Sequence, residues 1–168
     1  ANNEALTYTI KFQGSPMNHS PRKRFGQNFL HDRGIIDRII QAINPAADDH
    51  LVEIGPGQGA ITGQLLELAG RLDAIELDRD LVALLQRRFA GKQKFTRHTA
   101  DALKFDFCGL QKDRPLRLVG NLPYNISTPI MFHLLEQAGC IRDMYFMLQK
   151  EVVDRMAAGP GNKTYGRL

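Results

Sequence analysis

Leu51-Val52-Glu53-Ile54-Gly55-Pro56-Gly57-Gln58-Gly59-Ala60 is the stretch that decides the fold. Leu51 to Ile54 reads as a short buried strand, and the glycines at 55, 57 and 59 read as a tight turn. Ala60 to Ala69, with Ile61, Leu65, Leu66 and Leu68 apolar, reads as a helix that Gly70 ends. The same alternation continues outward. Leu72 to Glu76 is a second strand, and Asp78 caps a helix that carries Leu81, Leu84, Leu85 and Phe89 on one face. Lys94 to His98 is a weaker strand, Leu116 to Gly120 a fourth and Met144 to Leu148 a fifth. Thr128-Pro129 is expected to open a helix, since proline fits the first helical position, and a last helix is expected from about Glu151 to Ala158. Upstream, Ile35, Ile36, Ile39, Ile40 and Ile43 share one face of a helix that Asn44-Pro45 stops. Strands alternating with helices predict an α/β fold, with a parallel sheet and helices on both faces.

The 168 residues suffice for one domain with a real core. Apolar residues make up 43% and charged residues 24%, ordinary for a globular protein. No apolar run approaches the ~20 residues of a membrane span, and no secretory pattern opens the chain. The reading is a cytoplasmic protein, monomeric, with no membrane partner. The net charge of +4 and the pI of about 9.2 suit a polyanionic partner, and Arg22, Lys23 and Arg24 concentrate that charge. Cys108 and Cys140 belong to no CxxC or Cys/His cluster, so neither a disulfide nor a metal site is expected; both read as reduced packing thiols. Residues 1–16 do not pattern with the rest. They read as a leader preceding a start at Met17, or as a native extension, and the domain proper as 17–168.

The glycine turn carries chemistry. Glycine lets backbone approach a ligand, and the helix start offers N–H groups. Glu76 follows Gly55 at about the 20-residue spacing of the acid that accepts hydrogen bonds from ribose hydroxyls in doubly wound folds. A merely structural turn is the bland alternative; the strand context and the placed acid favour a nucleoside cofactor. The turn alone leaves NAD and S-adenosylmethionine both open.

Asn121-Leu122-Pro123-Tyr124 is the most specific signal, placed after the fourth strand, at the sheet edge where ligands bind in open α/β folds. An adenine amino group is a poor nucleophile because its lone pair is delocalised into the ring. The Asn121 side-chain oxygen and the Leu122 carbonyl can each accept a hydrogen bond from it and favour a pyramidal nitrogen. Pro123 stiffens the loop, and Tyr124 offers a face on which an extruded base stacks, worth ~1–3 kcal/mol. A packing turn is the bland alternative.

Several segments together resemble one family. They are Arg22-Lys23-Arg24-Phe25-Gly26-Gln27-Asn28-Phe29-Leu30, Val52 to Gly59, Thr99-Ala100-Asp101-Ala102, Gly120 to Pro129, Phe146 to Val152 and Tyr165-Gly166-Arg167-Leu168. Over roughly residues 21–168 the sequence is similar to bacterial small-subunit (16S) rRNA adenine N6,N6-dimethyltransferases. The resemblance implies a Rossmann-like class I methyltransferase sheet and S-adenosylmethionine as cofactor. It implies cofactor contacts at Asn28, Leu30, Gly55, Gly57, Glu76, Asp101 and Asn121, with Asp101 on the adenine amino group. Asn121, Leu122, Pro123 and Tyr124 would be catalytic. The implied reaction dimethylates two adjacent adenosines near the 3′ end of 16S rRNA within the small subunit, with a role in subunit biogenesis and no metal. Arg22, Lys23 and Arg24 would contact RNA phosphates, which position without reading sequence; a solvated terminal charge run is the bland reading. Family members continue past Leu168 with two more strands and a small helical domain, so the expectation is a chain that keeps much of the cofactor site but docks weakly on RNA. Two rivals stand beside this reading: a 23S rRNA adenine dimethylase, and a non-catalytic RNA-binding assembly factor on the same fold. A DNA adenine methyltransferase fits less well, because those usually carry Asp/Asn-Pro-Pro-Tyr.

Overall fold

A computed structural model describes residues 32–148, 150–159 and 161. The chain alternates helix and strand: α1 (Arg33–Ile43), β1 (His50–Ile54), α2 (Thr62–Leu68), β2 (Arg71–Glu76), α3 (Arg79–Arg88), β3 (Phe95–Thr99), β4 (Leu116–Asn121), α4 (Tyr124–Glu136), β5 (Ile141–Met147) and α5 (Lys150–Ala157). The strands form one parallel sheet in the order β3-β2-β1-β4-β5. Two helix starts follow directly from sequence. Asp32 accepts from the Ile35 amide at 3.1 Å to cap α1, and Asp78 accepts from the Asp80 amide at 2.9 Å to cap α3. Asn44 closes α1 in the left-handed region, at φ 46°.

Period-2 alternation sorts the strand side chains to two faces. Leu51, Leu72, Ala74 and Val119 pack with Ile36, Ile40 and Ile43 of α1, Leu65 and Leu66 of α2, and Leu85 of α3. Val52, Ile54, Ile75 and Leu118 pack with Ile130 and Leu134 of α4 and with Phe107. Both faces are covered, which is why the inner strands read as continuous apolar runs. Among the described residues no helix is long and apolar enough to cross a membrane.

Three expectations are corrected. First, α4 opens at Tyr124, directly after Pro123, and not at Thr128-Pro129; Pro129 lies inside the helix. Pro123, extended at φ −65° and ψ 151°, is the N-cap, and its carbonyl takes the Ile126 and Ser127 amides at 3.2 Å. The helix thus nucleates five residues before Pro129, whose ring removes one later backbone bond. Second, β5 begins at Ile141, where parallel pairing with β4 extends a strand whose early residues Arg142 and Asp143 look unlike one in sequence. Third, Cys108 and Cys140 are disulfide-bonded rather than reduced. They sit on two short 3-10 turns, Cys108–Leu110 and Ala138–Cys140, that converge at the foot of α4. A sequence separation of 32 gives no sign of that convergence.

Two networks of charged side chains, centred on Arg117 and Asp73, are buried within this frame. Arg117 of β4 bonds Asp49 at 2.6 Å and Asp143 at 2.8 Å, and donates to the Ile43 and Asn44 carbonyls at the end of α1. Asp73 of β2 receives His50 Nε2 and His98 Nε2, each at 2.7 Å, and Arg71 Nε at 2.9 Å. Both rings meet the carboxylate through Nε2, which makes the cluster a hydrogen-bonded network; among the described residues no His/Cys/Asp/Glu group is arranged to hold a metal. Burial alone pushes the Asp73 carboxyl up, but the bonds from His50, His98 and Arg71 outweigh it and hold it at about 2, below the ordinary 3.8. The folded chain therefore binds fewer protons than the unfolded one between those values. Its contribution is full above 3.8 and is lost as pH falls through about 2. Asp73→Asn should remove about 2 kcal/mol of acid-dependent stability. Urea midpoints of both proteins across that window check this; parallel curves would dismiss the network as the acid-sensitive element.

Candidate active site at the carboxyl edge of the sheet

Parallel strands all end on one edge, so the residues that follow β1, β2, β3 and β4 converge there. Register fixes their neighbours: Ile54 is paired with Ile75 and Gly120, and Glu76 with Thr99. The glycine turn leaves β1 with Gly55, Gly57 and Gly59 at φ 64°, 58° and 82°, a path that side-chain-bearing residues rarely take. A Cβ on Gly55 would meet nothing within 4 Å, so the turn presents open backbone. Gly120, beside it on β4, is required for a different reason: a Cβ there would lie 2.7 Å from the Ile54 carbonyl oxygen.

Glu76 anchors this turn. Its Oε2 accepts from the Gly57 amide at 3.3 Å and its Oε1 from the Asp78 amide at 3.0 Å. Each oxygen keeps a second lone pair, which suits a pair of ribose hydroxyls. Burial raises the Glu76 carboxyl above its ordinary range despite these bonds. Asp101 follows β3; its Oδ1 accepts from the Leu103 amide at 3.0 Å, and no hydrogen bond among the described residues engages Oδ2. That oxygen is a ready acceptor for an amino group. Asn121 is the last residue of β4. Leu122 donates its amide to the Met147 carbonyl at 3.1 Å and buries its side chain, which anchors the residue whose own carbonyl lies in the next peptide, before Pro123. Pro123 caps α4 and Tyr124 begins it. The structure thus brings Gly55, Gly57, Glu76, Asp101, Asn121, Leu122 and Pro123 to one edge. Asn28, Leu30, Arg22, Lys23 and Arg24 lie outside the described residues, as does the Tyr124 side chain.

Sequence reasoning missed two residues here. Leu77, next to Glu76, is 64% exposed. An exposed leucine beside an acid at this edge offers an apolar surface to a flat ring; the signal was an apolar residue just past a strand end. Glu53 of β1 is 2% exposed and takes the Thr62 hydroxyl at 2.7 Å. Burial lifts its carboxyl to about 7 from 4.5; the Thr62 bond opposes the shift and the nearby Glu76 adds to it. Because the folded pKa is raised, the folded chain holds the extra proton between 4.5 and about 7, and stability falls as pH rises through that window. Glu53→Gln should flatten this decline, worth about 3 kcal/mol. Thermal midpoints measured from acid to neutral pH check it, and equal slopes would show that the decline has another source.

This donor set fits S-adenosylmethionine. Glu76 suits ribose hydroxyls, Asp101 an adenine amino group, Leu77 a ring face, and the open glycine turn an amino-acid moiety lacking a pyrophosphate.

The family model for ribosomal RNA adenine dimethylase matches residues 18–168. A ribosomal RNA small subunit methyltransferase A of Pseudomonas putida is 65% identical over 151 residues, 89% of this chain and 57% of that protein. The crystal structure of a dimethyladenosine transferase from Plasmodium falciparum superposes with a TM-score of 0.71 at 32% identity, covering 84% of this chain and 50% of that one. A 23S rRNA methyltransferase superposes with a TM-score of 0.64 at 28% identity, covering 76% and 50%. The chain spans about half the length of the curated relatives it matches.

Proposed function

This chain belongs to the ribosomal RNA adenine dimethylase family, and from that premise we propose that it carries the cofactor site and target-adenine loop of an enzyme that dimethylates N6 of two adjacent adenosines near the 3′ end of 16S rRNA. The observation that carries the proposal is the placement of Asn121 at the end of β4, on the same edge as the glycine turn, Glu76 and Asp101. S-adenosylmethionine supplies the electrophilic methyl group. The chain's own residues position the partners. Glu76 and Asp101 hold the cofactor's sugar and base, and the Asn121 oxygen with the Leu122 carbonyl draws the two amino protons and aims the nitrogen lone pair. Catalysis by positioning and hydrogen-bond polarisation then suffices. No strong base is needed, because the alkylated nitrogen is cationic and loses its proton to water. One N–H and one lone pair remain after the first transfer, so a second transfer is chemically open, with the single remaining N–H bonded to one of the two acceptors.

The small-subunit substrate is favoured over the large-subunit one by the higher identity to the Pseudomonas putida relative than to the 23S enzyme. Transfer of labelled methyl groups to under-methylated small subunits, with large subunits in parallel and nucleoside analysis, tests the proposal. Dimethyladenosine in the small subunit supports it. Label only in the large subunit transfers the assignment to the 23S rival, and cofactor binding without transfer to either favours a non-catalytic assembly role.

A further inference from the structure

Residues 81–100 carry Arg87, Arg88, Lys92, Lys94 and Arg97 and not one Asp or Glu, a local excess larger than the +4 of the whole chain. The fold gathers this stretch on one side of the molecule. Phe89, after α3, meets Phe95, at the start of β3, edge-to-face at 5.6 Å, so the end of α3 lies against the outer strand of the sheet. Arg88 lies over the Phe89 ring at 5.5 Å and Arg97 over the Phe95 ring at 5.3 Å. Arg87, Lys92 and Lys94 are exposed. Among the described residues no acid forms an ion pair with any of the five; the pairs involve Arg71, Arg114, Arg117, Arg142 and two histidines instead. Arg88 also reaches the glycine turn, donating to the Gln58 carbonyl at 2.6 Å, so the positive surface is continuous with the candidate active site.

Two bland explanations cover part of this. Cations in the last turn complement a helix dipole, which accounts for Arg87 and Arg88 only. Charges on an edge strand block sheet-to-sheet pairing, but either sign serves, so this does not explain five cations without an acid. We propose that the outer edge formed by the end of α3, the 89–94 turn and β3 is an RNA-backbone docking surface that holds phosphates flanking the target adenosine. The proposal rests on the rRNA-methylating function above. The sheet order puts β3 three strand spacings from β4, about 14 Å, and the 89–94 turn precedes β3, so it lies a further strand length, roughly 16 Å, from the carboxyl edge that carries Asn121. The diagonal of about 22 Å is about six to seven nucleotide steps at the ~3.4 Å per strand of a duplex, a span that one RNA touching both the edge and Asn121 can cover. Phosphate contacts of this kind add affinity and register without sequence preference.

The test is a charge reversal, Arg87→Glu with Lys92→Glu and Lys94→Glu, beside an equal reversal elsewhere on the surface, Arg38→Glu with Lys112→Glu and Arg155→Glu. Glutamine at the same three edge positions gives a milder variant that keeps the fold. Binding of a fluorescein-labelled hairpin RNA is read by anisotropy over a salt series, and binding of S-adenosylhomocysteine by calorimetry. The edge reversal should weaken RNA binding at least tenfold more than the control, flatten the dependence of log affinity on log salt by about two to three, and leave S-adenosylhomocysteine affinity unchanged. Edge and control variants that bind RNA equally, while the parent chain binds RNA and transfers methyl groups, overturn the surface alone. A parent chain that neither binds the hairpin nor methylates small subunits overturns the underlying function and the surface with it.

Discussion

Asn121→Ala should lower the rate of methyl transfer by about 10²–10³-fold, the usual cost of losing one preorganised polar group that acts on the reacting centre. The residue ends β4, directly before a peptide held by the Leu122–Met147 backbone bond, so its backbone survives the change. What disappears is the carboxamide oxygen that the proposed mechanism assigns to the amino group. S-adenosylhomocysteine affinity should change by less than about tenfold, because Gly57, Glu76 and Asp101 stay in place and one lost hydrogen bond is worth about 1 kcal/mol. Asn121→Asp keeps an acceptor oxygen and should retain more of the rate than alanine does. Single-turnover transfer at saturating cofactor separates the chemical step from binding. An alanine variant as fast as the parent would remove Asn121 from the mechanism. A variant that loses cofactor affinity and nothing else would move it to the cofactor site.

The second large effect lies at the other end of the sheet. Arg117→Ala should cost about 3–5 kcal/mol of stability, because it strands buried charge. Arg117 and Asp49 have side chains only 5% and 4% exposed. Without the guanidinium, Asp49 keeps the Ala46 amide and Arg142, Asp143 keeps Arg142, and the Ile43 and Asn44 carbonyls lose a donor. Burial would raise the Asp49 carboxyl, but the Ala46 amide and then Arg117 outweigh it and hold it below its ordinary range, so the pair is tightly engaged. Lysine at 117 should recover little, since one ammonium cannot reach Asp49, Asp143 and two carbonyls at once. Urea unfolding of Arg117→Ala, Asp49→Asn and the double variant reads the coupling. Additive losses would mean the two residues do not act as a unit.

Residues 51–59 marked the strand and turn in advance, and Ala60–Ala69 the helix that the structure places at Thr62–Leu68, because buried-strand runs, glycine turns and helical periodicity are set by neighbours along the chain. Glu76 and Asn121 were legible for the same reason: each ends a strand whose pattern is local. The parallel sheet and α/β class followed from alternation. Placement of α4 failed because proline at 129 is a strong local signal, while the Pro123 cap that prevails over it is a backbone arrangement. Glu53 and Leu77 were overlooked because exposure is a tertiary quantity: one apolar-looking strand hides a carboxylate, and one leucine of many is left in solvent.

The sequence by itself therefore determined the alternation of strands and helices, though not where α4 and β5 begin, that the strands run parallel, and which residue types arrive at their carboxyl ends. Only the tertiary structure decided the order β3-β2-β1-β4-β5, the pairing of Cys108 with Cys140, and the partners of Arg117 and Asp73. Asp49 and Arg117 stand 68 residues apart. Nothing periodic or local links such distant positions. They meet because β1 and β4 lie side by side, and buried charges must find whatever partners that adjacency supplies.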